Sequence, residues 1–146
     1  MHMLGDPRTM QENPSYDDVV DDVRVFLAER IEVATAAGVE EERIWVDPGI
    51  GFGKTVEHNL ELIRRLGELR ELGRPVVFGS SRKSFIGKLT GAPVDQRLGG
   101  TIASNALAFA NGAEVLRVHD VGPMREALTV AEAIVDRERA GAIADR

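Results

Sequence analysis

Four short apolar runs, each followed by a polar or glycine-rich cluster, mark out this chain of 146 residues. The runs are 1–4, 43–46, 76–78 and 115–118. The clusters at or just after them are His2, then 47–54, 79–84 and 117–120. Between the clusters lie stretches with helical spacing. Val19, Val23, Phe26, Leu27 and Val33 mostly follow it, so a helix is expected from Ser15, with Asp17 and Asp18 near its positive end and Gly38 closing it. Leu60, Ile63, Leu66, Leu69 and Leu72 form a stripe that predicts a helix over 56–72, ended by Gly73. A short helix ending near Gly91 and an Ala-rich, mostly apolar helix over 97–111 follow; the second is expected to be buried. Gly122 and Pro123 open a last helix, because proline fits a first turn. That helix fades into a polar tail over 137–146.

The order βαβαβαβα implies parallel strands in one α/β domain over 1–146. Strands recur at intervals of roughly 30 to 40 residues, close to the unit length of a (β/α)8 barrel. In barrels and open α/β sheets alike, ligands bind at the C-terminal ends of the strands, where these clusters fall.

Composition excludes several function classes. A formal net charge of −6 argues against nonspecific nucleic-acid binding, which needs clustered Lys and Arg. The longest near-apolar stretch, 101–110, is too short to span a bilayer and is broken by Ser104 and Asn105. Residues 1–11 have no apolar signal-peptide core. With no cysteine there is no disulfide, thiolate nucleophile or Cys-based zinc site, and a cytoplasmic setting is expected. The three histidines, His2, His58 and His119, show no metal-binding spacing, and no metal ligand is assigned. His58, at a helix start, reads as a cap or a surface residue.

Three motifs carry the chemistry. The first is Asp47-Pro48-Gly49-Ile50-Gly51-Phe52-Gly53-Lys54-Thr55. It is not a P-loop, because Pro48 stands where the first glycine belongs, and its alternating glycines do not fit G-x-G-x-x-G either. Asp47 follows an apolar strand, where an unpaired carboxylate is costly to bury, and it suits two hydrogen bonds from an amino-pyrimidine edge. A glycine loop with no ligand is the other reading. The second is Gly79-Ser80-Ser81-Arg82-Lys83-Ser84, where small residues and a helix N-terminus favour a flat ligand or an anion. Its alternative is a plain helix cap by Ser80 or Ser81 with Arg82 and Lys83 in solvent. The third is Arg117-Val118-His119-Asp120. Alternation puts Arg117 and His119 on one face, which suits a diphosphate. A strand-end salt bridge to Asp120 is the competing reading.

Taken in order, these motifs resemble the C-terminal half of the dihydropteroate synthases, a family of pterin-binding TIM barrels. Residues 1–11 look like the fifth-strand segment, 47–54 with His58-Asn59 like the sixth, and 79–87 like the seventh. Arg97, Gly100-Thr101 and 117–121 look like the remainder. The resemblance implies four βα units forming the second half of a (β/α)8 barrel. It also implies joining of 6-hydroxymethyl-7,8-dihydropterin diphosphate to p-aminobenzoate with loss of diphosphate.

Residue by residue, the resemblance implies Asp47, Lys83 and Arg117 as the catalytic set. Met1, Asp47, Gly79, Lys83 and Arg117 would contact the pterin. Phe52, Lys83 and Ser84 would hold p-aminobenzoate, and Arg117 and His119 the diphosphate. Mg²⁺ is implied as a cofactor whose ligand lies outside this chain, and a homodimer as the assembly of the complete enzyme, through late helices such as 97–111. Strands one to four of the family have no counterpart here, so the isolated chain is expected to be inactive. The alternatives are a methyltetrahydrofolate-dependent methyltransferase, which has no p-aminobenzoate for the Ser81-to-Ser84 run to hold, and a non-catalytic binding module.

Overall fold

The computed structural model describes residues 1–135, so the expected tail over 137–146 lies outside the described residues. The described residues form five α-helices: α1 (Val19–Ala36), α2 (Val56–Arg64), α3 (Ser84–Thr90), α4 (Leu98–Ala110) and α5 (Val121–Val135). Two strands, β1 (Val77–Phe78) and β2 (Val115–Leu116), pair in parallel with Val77 opposite Val115 and Phe78 opposite Leu116.

The other two expected strands are reduced to single contacts. Val46 makes an isolated parallel bridge to Val76. The 43–46 run cannot form a longer ladder because a 3₁₀ turn occupies Glu41–Arg43 and the glycine loop begins just after Asp47. The 1–4 segment contributes one backbone bond, His2 N to Asp47 O at 3.0 Å. The contacts nevertheless run in chain order across the molecule, which is the order of a parallel barrel wall.

The helix boundaries have local causes. The first helix starts at Val19 rather than Ser15, because Asp18 is its cap: the carboxylate accepts from Val20 N at 2.8 Å and Asp21 N at 3.1 Å. The second begins with a reciprocal cap in which Thr55 Oγ1 accepts from His58 N and His58 Nδ1 accepts from Thr55 N, both at 3.2 Å. It does not continue to Leu72. Arg65 leaves helical geometry and a 3₁₀ segment, Leu66–Leu72, follows, ended by Gly73 in the left-handed region.

The core lies between the strands and the helices. Val20, Val23, Leu27, Leu62, Leu66 and Leu69 pack there against Val76 and Phe78. Each such side chain contributes about 1.5 to 3 kcal/mol by leaving water.

Helix α4 corrects an expectation. It is not buried on its apolar side. Thr101, Ser104, Asn105 and Ala108 face inward, while Leu107 is 59% exposed. The three polar residues recur at i, i+3 and i+4 and form one face. That face hydrogen-bonds the 80–82 loop, so burial follows bonding rather than hydropathy. Ser80 Oγ lies 2.7 Å from Ser104 Oγ and accepts from Asn105 Nδ2 at 2.7 Å; Arg82 N donates to Thr101 Oγ1 at 3.0 Å.

Candidate functional site

The glycine loop of 49–53 is shaped from below. Gly49, Gly51 and Gly53 all take positive φ, 70°, 79° and 64°. A β-carbon at Gly49 would collide with the His2 carbonyl, and one at Gly53 would lie 2.6 Å from Leu4 O. The alternation of glycines therefore answers to backbone handedness and to the close approach of the 1–4 segment. Asn59 Oδ1 accepts from Gly51 N at 2.7 Å, Tyr16 OH donates to Gly53 O at 2.6 Å and Gln11 Nε2 donates to Gly51 O at 2.7 Å. Asp47 Oδ1 accepts from Gly49 N at 2.7 Å; among the described residues no donor is bonded to its other carboxylate oxygen.

His2 is not at the ligand edge. Its side chain is turned under the loop, only 4% exposed, and its Nδ1 lies 2.8 Å from Lys54 Nζ. Burial, then the Lys54 cation and the amino terminus, lower its pKa to about 4. Lys54 is 3% exposed, and burial pulls its pKa down to about 7; Asp47 opposes that shift and Lys83 adds to it. Met1, on the opposite side of the extended segment from His2, is 55% exposed.

The second and third motifs meet in one cavity of about 450 Å³, lined by Gly79, Ser81, Lys83, Val94, Arg117 and His119 among others. Neither serine caps α3. Ser80 bonds α4, and Ser81 Oγ lies 2.8 Å from His119 Nδ1 and accepts from His119 N at 3.1 Å. Lys83 occupies the cap position and Ser84, exposed, the first turn. Asp120 is paired, but with Arg82, at 2.8 to 3.2 Å, not with Arg117 or His119. Arg82 itself has a positive φ of 58°. Among the described residues no carboxylate pairs with Arg117.

Arg117 lies against Gly79, where a β-carbon would be 3.0 Å from Nη2. Lys83 Nζ stands 3.9 Å from the centre of the Phe52 ring, which joins the glycine loop to the second motif. Its pKa is lowered by burial and by Arg117, against the pull of Asp47. The arrangement is thus two cations over one cavity, an aromatic ring beneath one of them, and a half-free carboxylate, Asp47, close enough to act on the Lys83 charge.

A model of the pterin binding enzyme family matches residues 1–119. The chain belongs to that family.

Dihydropteroate synthase of Haemophilus influenzae is 47% identical over 133 residues, 91% of this chain and 48% of that protein. The mitochondrial folate synthesis bifunctional protein of Arabidopsis thaliana is 40% identical over 151 aligned residues, covering 95% of this chain and 27% of its own length. The Yersinia pestis dihydropteroate synthase structure with a sulfonamide drug complex superposes with a TM-score of 0.89 at 41% identity, covering 91% of this chain and 48% of that one. The Thermus thermophilus enzyme in complex with 4-aminobenzoate gives 0.86 at 47%, with 92% and 55% covered. This chain spans about half the length of the curated dihydropteroate synthases it matches. Its α/β architecture is therefore that of part of a pterin-binding barrel.

Among the described residues no group of three or more His, Asp or Glu is placed to hold a metal ion, and no helix is long and apolar enough to cross a membrane. Sequence reasoning picked out Asp47, Phe52, Lys83, Arg117 and His119 but left Lys54, Ser81, Arg82 and Arg97 without roles. Arg97 donates from Nη1 to Arg82 O at 3.0 Å and from Nε to Ala92 O at 3.0 Å, stapling the second motif to the α4 start. The signal for Lys54 was present: a lysine closing a loop of alternating glycines.

Proposed function

We propose that this chain supplies the C-terminal half of a dihydropteroate synthase active site, joining 6-hydroxymethyl-7,8-dihydropterin diphosphate to p-aminobenzoate. The observation that carries this reading is the cation pair, Lys83 and Arg117, over one cavity, with no carboxylate paired to either among the described residues and Asp47 acting on the Lys83 charge. Solved relatives bound to 4-aminobenzoate, 6HMPPP and dihydropteroate support it.

In the reaction the pterin CH2–O bond breaks and its electron pair leaves with the diphosphate. The amine nitrogen then bonds to the methylene carbon and releases a proton. The carboxylate of Asp47 accepts hydrogen bonds from the pterin pyrimidine edge and favours the transient cation. Gly79 admits the pterin to the backbone, with Met1 beside it. Lys83 lies over the ring, with Phe52 and Ser84 taking p-aminobenzoate and its carboxylate. Arg117 and the free Nε2 of His119 take the leaving diphosphate, where preorganised donors lower the barrier.

Among the described residues no cluster of His, Asp or Glu fits a Mg²⁺ site, and no step here depends on one. The rest of the pterin pocket would come from polypeptide matching the other half of the relatives. The exposed apolar residues of α4 suit a dimer contact, and a cysteine-free chain suits the cytoplasm.

Calorimetry with pyrophosphate on the wild type and on Arg117→Ala tests the anion half. Binding that falls at least tenfold in the variant is expected, the scale of one charge-assisted contact. Equal affinity in both would remove Arg117 from the site.

A further inference from the structure

Lys54 stands under the glycine loop with all three ammonium protons directed at acceptors. Nζ lies 3.0 Å from Gly49 O, 3.1 Å from Phe52 O and 2.8 Å from His2 Nδ1. The Tyr16 ring is 5.9 Å away. When protonated, Lys54 can only donate, so His2 Nδ1 then accepts and the ring proton of the neutral imidazole lies on Nε2. Two of the acceptors are loop carbonyls three residues apart. A loop whose carbonyls converge on one point needs a cation or donors there, since unpaired buried carbonyls cost free energy.

Phe52 is one of the two residues whose carbonyl Lys54 holds, and its ring carries the Lys83 ammonium at 3.9 Å. A β-carbon at Gly51 would lie 3.2 Å from Lys83 Cδ, so the loop is clamped between two lysines. Moving the Phe52 carbonyl moves the ring on which Lys83 rests. On another strand end His119 is bonded to Ser81 and Arg117 packs on Gly79; among the described residues neither is hydrogen-bonded to this clamp, and Arg117 acts on Lys83 through charge alone.

We propose that Lys54 is a positioning residue: an internal cation that fixes the glycine loop and thereby sets where the Phe52–Lys83 pair stands. What that pair does for p-aminobenzoate rests on the reading above; the position of the pair does not.

The test is made on the full chain. In the wild type the Lys83 ε-methylene protons should resonate upfield of their free position, because they lie over the Phe52 ring, and Phe52→Leu should abolish the shift. In Lys54→Met, of similar length but unable to donate, the shift should also collapse while pyrophosphate affinity changes less than twofold. Affinity for p-aminobenzoate should fall roughly tenfold. Lys54→Arg, which can still donate to both carbonyls, should retain part of the shift.

An unchanged Lys83 shift in folded Lys54→Met would overturn the proposal. So would a wild type lacking the shift. Should Lys54→Met fail to fold, the wild-type Lys54 ammonium decides: slow proton exchange with solvent below pH 6 is expected of three bonded protons, and rapid exchange would sink the idea. A chain that shows the shift but binds neither pyrophosphate nor p-aminobenzoate would refute the proposed function and leave the role of Lys54 intact.

Discussion

At the scale of single residues, two lysines of neighbouring sequence differ in what surrounds them. Lys83 faces a cavity and an aromatic ring; Lys88, on α3, is exposed to solvent. In a reconstituted enzyme, Lys83→Ala is expected to lower turnover by about 10²-fold, the scale for removing a positioned electrostatic group, and Lys88→Ala to leave it nearly unchanged. Steady-state assays of diphosphate release check both, and matching losses would assign the segment to folding rather than chemistry. His2 gives a pH dependence. Unfolded, it takes a proton near 6.5; folded, only near 4. Between those values the unfolded state holds the extra proton, so stability is full above pH 6.5 and is lost as pH falls toward 4. The loss attributable to His2 is on the order of 2 kcal/mol. Urea midpoints at pH 7 and 4.5 should differ more in the wild type than in His2→Gln; equal differences would assign the acid sensitivity elsewhere.

At the scale of elements, the polar face of α4 is the notable device. It converts a helix into a scaffold for the 79–84 loop through Ser80, Thr101, Ser104 and Asn105. Asn105→Leu should cost about 1 to 3 kcal/mol by leaving Ser80 and the Thr101 carbonyl short of a donor. Thermal unfolding measures that cost, and a stabilised variant would show that packing outweighs the network. The sequence placed α4 correctly, but its apolar content led to the expectation that it is buried, because hydropathy does not weigh the partners of a hydroxyl or an amide. The periodicity rules ran α2 on to Leu72, across the break at Arg65. They started α1 at Ser15 because several cap-forming residues precede it, and only the Asp18 carboxylate reaches the free amides.

At the scale of the whole molecule, β2 pairs only with β1 among the described residues, and an apolar groove lined by Trp45, Val77, Leu116, Val121, Met124 and Leu128 runs beside the strands. Trp45, the single tryptophan, is 56% exposed there. An open edge and an uncovered apolar groove favour association. The 146-residue chain is therefore expected to self-associate and to release no diphosphate above background. Adding polypeptide corresponding to the other half of the relatives should restore activity and shift the Trp45 emission to the blue. Light scattering, fluorescence and a coupled assay check this together. A monomer of 15.9 kDa that makes dihydropteroate unaided would contradict it.

The sequence by itself determined the order of the elements, the three loop motifs and the family. These depend on local features: glycine where φ must be positive, apolar runs of strand length, and polar clusters at the ends of those runs. Only the tertiary structure decided partnerships. It gave Asp120 to Arg82 and left Arg117 without a carboxylate, turned His2 under the loop and set Lys54 between two carbonyls. The longest of them, His2 with Lys54 and Arg82 with Asp120, join residues 52 and 38 positions apart in the chain. Pairing at such separations depends on how strands and helices pack around one core, and no local pattern records it.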